Sequence, residues 1–287
     1  MVKLLDSDIQ TKEVLSWEGL HLFHFLGSAC SQKTRIILNM KDLKWVSHEI
    51  NLGKKEHFTP WYLGINPRGL VPTLIMDGSV YIESNDIIQL LDEKFPQNKL
   101  VPKNFQNKMD ELLRHENDLH LDLRTITFRF TQHRGKTPRT TEDLQNYRKG
   151  GAGTVEGKAD PDKIREIEFW EKVASEGIPD QAVKKSAKRF RINLERLDKT
   201  LVKTQYLLGN SISILDVAWF IYANRLILCG YPVKKLHPNV NKWFESLLKR
   251  PEFAKEIIVS PEIAKAVETN HQRQKETKTT LVDIADL

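Results

Sequence analysis

Short segments with alternating apolar and polar residues predict a small α/β domain near the start of the chain. Asp77-Gly78 lies between the last two of these segments and favours a two-residue hairpin turn. The expected order is β-α-β-α-β-β-α, in which a parallel pair of strands precedes an antiparallel hairpin. A loop with a short helix is expected at residues 53–65. The predicted strands are residues 20–25, 45–52, 73–76 and 79–82, and the predicted longer helices are residues 28–40 and 84–94.

A polar segment with two prolines at residues 95–102 predicts a linker, and the sequence after it favours helices. Residues 105–130 suit one long helix. Residues 132–159 are poor in apolar side chains and contain several glycines, so we expect a long, mobile loop there. Asp160-Pro161 then supplies an N-cap residue and a first-turn proline for the next helix.

Two later positions also mark helix starts. Asp180 begins a segment whose apolar side chains recur every three or four residues, which predicts a helix with one buried face. Ser213-Ile214-Leu215-Asp216 resembles a capping box, in which Ser213 is the N-cap and Asp216 replaces the usual Glu or Gln. Loss of such a cap costs about 1 kcal/mol of stability.

Composition narrows the class of protein. The 287 residues can form one large domain or two of ordinary size. No apolar run is long enough to cross a bilayer, and residues 1–17 lack the apolar centre of a signal peptide, so we expect a cytoplasmic location. Cys30 and Cys229 are too few for a disulfide framework or a cysteine-rich zinc site, and no metal is expected. The net charge of +6 is interspersed with acidic residues, which favours a small anionic ligand over a nucleic acid.

Residues 66–84 are the most informative segment for function. Val71-Pro72 opens a predicted strand, a place where proline is tolerated because it has no N–H to donate. If this bond is cis, the N–H and C=O of Val71 are left unpaired and can bind a peptide-like ligand laid alongside as an extra strand. Glu83-Ser84 opens the next helix, whose N-terminus suits a carboxylate. The segment therefore predicts a site for a small anionic peptide.

This combination resembles the glutathione-binding half of the glutathione transferase family. The resemblance implies glutathione as a co-substrate, held by its cysteinyl part at the Val-Pro step and by its γ-glutamyl end at the Glu-Ser pair. The family often contacts the glycyl carboxylate at a position that corresponds to Lys55 and His57, although a solvated loop explains these two residues equally well. The implied glutathione-binding residues are Lys55, His57, Val71, Pro72, Glu83 and Ser84.

The Ser213 capping box is a second, distant match to the same family, so the resemblance extends over residues 20–258. It implies a thioredoxin-like α/β N-terminal domain at residues 18–95 and an all-α helical C-terminal domain at residues 104–258, the glutathione transferase fold. Residues 1–17 and 261–287 are then terminal extensions. The family default is a homodimer that binds a hydrophobic electrophile beside glutathione.

In this family the residue that activates the thiol lies between the first strand and the first helix, and it is Tyr, Ser or Cys. The candidates here are Ser28, Cys30 and Ser31. Cys30, at a helix N-terminus and one turn from Lys33, is placed to form a thiolate that attacks a mixed disulfide or a glutathionyl adduct. Ser28 or Ser31 would instead donate a hydrogen bond to the glutathione thiolate, which then attacks an electrophilic carbon.

Two branches of the family resemble different stretches of the chain. Residues 28–35 resemble bacterial tetrachlorohydroquinone dehalogenases, whose cysteine resolves a glutathionyl intermediate. Residues 65–95 and 169–226 resemble bacterial β-etherases, which cleave aryl ethers of lignin fragments with glutathione as the nucleophile. The implied function is glutathione transfer to a hydrophobic or aromatic electrophile. A cysteine-dependent glutathione disulfide reductase or deglutathionylase, and a non-catalytic regulatory or binding protein, are the alternatives.

The acceptor pocket of such a protein is expected between its two domains. Helical spacing permits several side chains of the long helix, and one of a later helix, to line it. The candidate residues are Arg114, Asn117, His120, Leu121 and Tyr222.

Overall fold

The chain divides into two units in a computed structural model that describes residues 1–131 and 139–287. Of these residues, 1–95 and 139–177 form the first unit, and 96–131 and 178–287 form the second. The strands, numbered along the chain, are β1 (Val2–Lys3), β2 (Leu20–His24), β3 (Val46–Glu49), β4 (Thr73–Met76), β5 (Ser79–Ile82), β6 (Thr154–Val155) and β7 (Lys158–Ala159). The helices are α1 (Ala29–Met40), α2 (Pro60–Leu63), α3 (Ser84–Lys94), α4 (Met109–Asn117), α5 (His120–Thr131), α6 (Thr141–Lys149), α7 (Pro161–Glu176), α8 (Asp180–Leu201), α9 (Ile214–Leu228), α10 (Val233–Leu236), α11 (Pro238–Leu248), α12 (Pro251–Ala254), α13 (Pro261–Glu276) and α14 (Leu281–Ala285).

The first unit is built on a five-stranded sheet of order β1-β5-β4-β2-β3. β2 and β3 are parallel, whereas β4 pairs antiparallel with both β2 and β5. The hairpin turn at Asp77-Gly78 has positive φ at both residues, as a two-residue turn of this kind requires. α1 and α3 pack together, and a buried ion pair of 2.8 Å joins Lys41 to Asp92 between them. The predicted thioredoxin-like arrangement is confirmed.

The N-terminal segment belongs to this sheet unit as well. β1 adds an antiparallel strand to the edge of β5. The buried carboxylate of Asp8 accepts hydrogen bonds from the Thr154 hydroxyl, at 2.7 Å, and from the Gly157 N–H, at 3.1 Å. Residues before the first predicted strand therefore hold the β6–β7 hairpin against the sheet.

The segment expected to be a mobile loop is largely ordered, which corrects the prediction for residues 139–159; residues 132–138 of that loop lie outside the described residues. Thr140 and Asp143 form a capping box at the start of α6. The buried Tyr147 ring stacks on Phe58 at 4.4 Å between centroids. The sequence signal is weak because α6 has only two buried side chains, and each strand of the β6–β7 hairpin has only two residues.

The second unit is helical. The single helix predicted over residues 105–130 is instead a 3-10 segment followed by α4 and α5. Leu119 N–H bonds to the carbonyl of Glu116 and not to that of His115, which tightens the chain into a 3-10 turn between the two helices. α8 packs against α5, α11 and α14, and α9 packs against α4 and α5. The tail at residues 261–287 contains two helices, α13 and α14.

The capping box predicted at Ser213 is present at the start of α9. The Asp216 carboxylate accepts hydrogen bonds from Ser213 N–H at 2.8 Å and Ser213 Oγ–H at 2.6 Å. It also accepts from Leu207 N–H and Trp243 Nε1–H, both at 2.9 Å. Because Asp216 is fully buried, one carboxylate joins three separate segments inside the helical unit. Among the described residues, no helix has both the length and the apolar character needed to span a membrane.

Candidate functional site

The topology brings the predicted site residues of the first unit to one end of its sheet. Phe23 near the end of β2 pairs with Thr73 at the start of β4, and Leu74 of β4 pairs with Tyr81 near the end of β5. Val71 precedes β4, Ser28 follows β2, and Glu83-Ser84 follows β5. These three positions therefore lie at the same end of the sheet, although they are far apart in sequence.

The turn before β4 presents an unused backbone edge. The Val71–Pro72 peptide bond is cis. Within residues 1–131 and 139–287, neither the N–H nor the C=O of Val71 makes a hydrogen bond. The preceding carbonyl, that of Leu70, is held by the Tyr62 hydroxyl at 2.6 Å and by Asn66 Nδ2 at 2.9 Å. The hydrogen bonds to Leu70 thus fix the turn, while the N–H and C=O of Val71 are available to a ligand.

The start of α3 has the properties of an anion site. Glu83 is the N-cap residue, but its side chain makes no hydrogen bond to the first turn of α3. Ser84 is the first helical residue and is buried. The buried ammonium group of Lys33 on α1 lies 3.3 Å from Asn85 Oδ1 in the same turn. Positive charge and a helix N-terminus therefore coincide where a carboxylate is expected.

The three catalytic candidates at the start of α1 differ in their exposure and in their hydrogen bonds. Ser28 is the N-cap, and its Oγ accepts the Ser31 N–H at 3.3 Å. In the described chain the Ser28 hydroxyl has no hydrogen-bond acceptor, so its hydrogen is available to a ligand. Ser31 is fully buried and its Oγ accepts the Phe25 N–H at 3.4 Å. Cys30 is half-buried in the first turn. Ser28 and Cys30 are thus accessible, whereas Ser31 points into the protein.

Arg35 fixes the loop that carries Ser28. Its guanidinium donates to the carbonyl of Phe25 at 3.1 Å and to that of Leu26 at 3.0 Å. It also donates to Nδ1 of His24 at 3.1 Å, which leaves Nε2 of His24 to donate to the Ser47 hydroxyl at 2.7 Å. Burial, followed by the charges of Arg35 and His48, lowers the pKa of His24 from 6.5 to about 4. The imidazole is therefore neutral at pH 7.

This lowered pKa predicts a loss of stability in mild acid. The unfolded chain takes up a proton at His24 near pH 6.5, but the folded chain resists it until about pH 4, so this contribution is complete above pH 6.5 and declines below it. Between pH 7 and pH 5 we expect His24 alone to account for about 2 kcal/mol of the decrease in unfolding free energy. Urea unfolding of the wild type and of His24→Gln at both pH values measures it. An equal decrease in the two proteins would contradict the assignment.

The structure gives the two predicted glycyl contacts different surroundings from those expected. Lys55 Nζ forms an ion pair of 2.5 Å with Asp143. Asp143 belongs to residues 139–177, the later part of the first unit, called the inserted segment below. His57 is buried, lies 3.9 Å from the Phe58 ring and has Arg139 at 3.5 Å. Burial and the Arg139 charge lower the pKa of His57 to about 3, so it carries no positive charge for a carboxylate at neutral pH. His57 can therefore meet a carboxylate only as a neutral N–H donor, and its assignment to the glycyl end stays a prediction.

The predicted acceptor residues all lie in the second unit. Tyr222 is fully buried, and its hydroxyl lies 3.1 Å from His120 Nδ1. Arg114, Asn117 and Leu121 are exposed. The structure shows a contact between His120 and Tyr222, and the acceptor pocket as a whole stays a prediction. No cluster of three or more His, Cys, Asp or Glu suited to a metal ion occurs within the described ranges.

One residue at the site was missed in the sequence. The guanidinium of Arg68 lies 2.5 Å from Glu83 Oε1 and forms a forked contact with Asp160. The Asn66-Pro67-Arg68-Gly69 turn is adjacent to the Val-Pro step, but its partner Asp160 is 92 positions away. No local pattern could have joined them.

Comparison with known proteins agrees with this fold. The family model of the glutathione S-transferase N-terminal domain matches residues 22–99, and that of the C-terminal domain matches residues 180–246, together just over half of the chain. A zeta-class glutathione S-transferase from Euphorbia esula is 39% identical over 89 residues, which cover 31% of this chain and 40% of that protein. The chain spans about two fifths of the length of the first curated relatives that it matches.

Longer similarity exists to a bacterial protein. LigF from Sphingobium sp. is 26% identical over 255 residues, which cover 81% of this chain and 90% of LigF. The crystal structure of that β-etherase superposes with a TM-score of 0.67 at 25% identity and covers 83% of this chain and 98% of the LigF chain. The two domain matches, the thioredoxin-like sheet and the Ser213 capping box agree, and the chain belongs to the glutathione transferase superfamily.

Proposed function

We propose that this protein is a glutathione transferase that activates the thiol of glutathione with the Ser28 hydroxyl. The single observation that carries the proposal is the open backbone edge at Val71, which a peptide-like thiol can pair with. The uncapped start of α3 supports a place for the γ-glutamyl carboxylate at Ser84. Glutathione pairs in this way with the Val71 backbone before β4 and directs its sulfur toward the start of α1.

The chemistry follows from the hydrogen available on Ser28. A hydroxyl that donates to sulfur favours the thiolate over the thiol and so lowers the pKa of the bound glutathione. The thiolate attacks an electrophilic carbon, a C–S bond forms, and the bond to the leaving group breaks. The electron pair leaves with that group, for example as a phenolate, which takes a proton from water. The protein itself forms no covalent bond.

We assign the electrophile to the hydrophobic or aromatic class, with an aryl ether as the first substrate to test. The length of the similarity to a β-etherase supports this choice over other leaving groups. Homodimer formation and a cytoplasmic location stay predictions. Light scattering of the purified protein tests the first of them.

A second function is favoured by the half-buried position of Cys30 in the first turn of α1. There a cysteine thiolate attacks the sulfur of a glutathionyl adduct, and reduced product leaves. The resulting protein–glutathione disulfide is then cleaved by a second glutathione, which is oxidised to glutathione disulfide. This activity requires Cys30 and is indifferent to the Ser28 hydroxyl.

Retention on immobilised glutathione and turnover of a generic aryl halide and of a β-aryl ether test the proposal. The proposed transferase binds and turns over at least one of the two substrates. Binding with turnover of a mixed disulfide only would favour the Cys30 reductase. Absence of binding at millimolar glutathione would favour a non-catalytic regulatory or binding protein.

A further inference from the structure

The Arg68 guanidinium is shared among three carboxylates of the first unit. Its Nη1 lies 2.5 Å from Glu83 Oε1. Its Nε and Nη2 donate to the two oxygens of Asp160 at 2.9 and 3.0 Å, a bidentate fork. Nη2 also lies 2.8 Å from Asp162 Oδ2. Two of these carboxylates come from the inserted segment at the start of α7, whereas Glu83 is part of the site described above.

Arg68 is held rigidly in this position. The residue is buried, and the Asp160 carboxylate is buried with it. Burial alone would lower the pKa of the guanidinium, but the contacts to Asp160 and Glu83 outweigh burial and raise it, so Arg68 stays charged. The backbone is also fixed from the inserted segment, because the Tyr147 hydroxyl donates to the Arg68 carbonyl. A fixed cation with a planar fork constrains the carboxylate that it contacts.

Glu83 needs such a constraint. Its φ of +69° is unfavourable for a residue with a side chain, and it persists only where neighbouring contacts determine the backbone. Its side chain is 39% exposed and does not cap α3. With Oε1 bound to Arg68, the other oxygen, Oε2, remains for a ligand. The ion pair therefore fixes the direction in which Glu83 offers this second oxygen.

The free oxygen of Glu83 suits a cation on the ligand. Asp160 and Asp162 lie against Arg68, and Arg165 also contacts Asp162. Among the described residues, Glu83 forms an ion pair through Oε1 with Arg68 and has no cationic partner at Oε2. The γ-glutamyl end of glutathione carries an α-ammonium group beside its α-carboxylate, and the carboxylate is provided for by the start of α3.

We infer that Arg68 and Asp160 are positioning residues that aim Glu83 at the α-ammonium group of glutathione, so that the inserted segment sets the affinity for this end of the ligand. The inference rests on the proposed function. It makes the segment at residues 139–177 part of substrate recognition although it contributes no atom to the reacting centre. Asp160 also caps α7 through the Asp162 N–H, a function that asparagine retains.

The test compares two thiols, glutathione and N-glutaryl-cysteinyl-glycine. The second differs from glutathione only in lacking the α-amino group. Calorimetry gives the dissociation constant of each thiol, and steady-state kinetics give kcat at saturating thiol. We expect the wild type to prefer glutathione about tenfold, the size of one charge-assisted hydrogen bond. Asp160→Asn should narrow this preference to about twofold or threefold and leave kcat at saturation unchanged.

Two further variants make the comparison decisive. Asp162 is partly exposed, so Asp162→Asn should fold even if Asp160→Asn does not. It should narrow the preference for glutathione by a smaller factor. Glu171, also on α7, forms an exposed ion pair with Arg148 of α6. Glu171→Gln removes this charge and should leave the preference at the wild-type value.

The outcomes separate the inference from the function on which it rests. If the two aspartate variants weaken both thiols equally, or lower the melting temperature without changing the preference, Arg68 and Asp160 are structural only and the inference is overturned. If the wild type binds neither thiol at millimolar concentration, the proposed function fails and the inference fails with it. A narrowed preference with unchanged kcat supports both.

Discussion

Replacing Ser28 with alanine is expected to lower the kcat of glutathione conjugation about a hundredfold at neutral pH. The Ser28 oxygen is occupied by the Ser31 N–H, but its hydrogen remains free to stabilise the glutathione thiolate. Without that donor the pKa of the bound thiol rises, because a hydrogen bond to the charged form favours that form. The ultraviolet absorbance of the bound thiolate, titrated against pH, measures this pKa directly, and the pH profile of kcat should move upward with it.

Loss of the helix cap has to be separated from loss of the hydroxyl. Alanine at an N-cap costs about 1 kcal/mol, whereas glycine costs only a few tenths. Ser28→Gly is therefore the matched variant: it should lose activity as fully as Ser28→Ala while it keeps more of the stability. If conjugation survives in both variants, Ser28 is a cap and nothing more.

Cys30→Ser completes this comparison. If it abolishes disulfide reduction and spares conjugation, the cysteine acts only in the reductase reaction. If both activities survive, Cys30 is a packing residue of α1. The buried Ser31 serves as the internal reference, because Ser31→Ala should change stability without changing the pKa of the bound thiol.

Replacing Asp216 with alanine should produce the largest loss of stability in the helical unit, about 4 kcal/mol. The change leaves the N–H groups of Ser213 and Leu207 and the indole N–H of Trp243 without their acceptor in the interior of the unit. Burial raises the pKa of Asp216 despite these donors. In the wild type, the hydrogen bonds to Asp216 offset the free energy of burying its carboxylate. In the alanine variant the same donors stay buried without an acceptor, which destabilises the fold.

The chain contains its own control for this prediction. Thr280 and Asp283 form the same capping box at the start of α14, but they lie at the surface. Asp283→Ala should therefore cost about 1 kcal/mol or less. Urea unfolding followed by circular dichroism gives both values, and equal losses in the two variants would show that the buried donors of Asp216 add nothing to the cap.

Features encoded within a few residues could be predicted from the sequence. The hairpin at Asp77-Gly78, the start of α7 after Asp160 and the capping box at Ser213 each depend on a local turn or cap, and each is present. The thioredoxin-like order followed from the spacing of such local signals.

Features that depend on distant partners could not be predicted. The pairing of Arg68 with Asp160, the burial of His57 under Arg139 and the order of the inserted segment all join parts of the chain that are about 80 to 90 positions apart. The acceptor pocket stays a prediction for a related reason: helical spacing does not decide which face of a helix is buried. Tyr222 is fully buried, whereas Arg114 is exposed.

The sheet unit consists of two segments that are separated in the sequence, residues 1–95 and 139–177. This limits which parts of the chain can be exchanged with those of a relative. A fragment that ended at residue 95 would lack two of the three carboxylates that bind Arg68, the Tyr147 ring that covers Phe58 and the hydroxyl that pairs with Asp8. The same loss would follow if residues 1–95 were exchanged for those of a relative. Chimaeras of this superfamily member should therefore fold only when residues 1–95 and 139–177 are transferred from one parent.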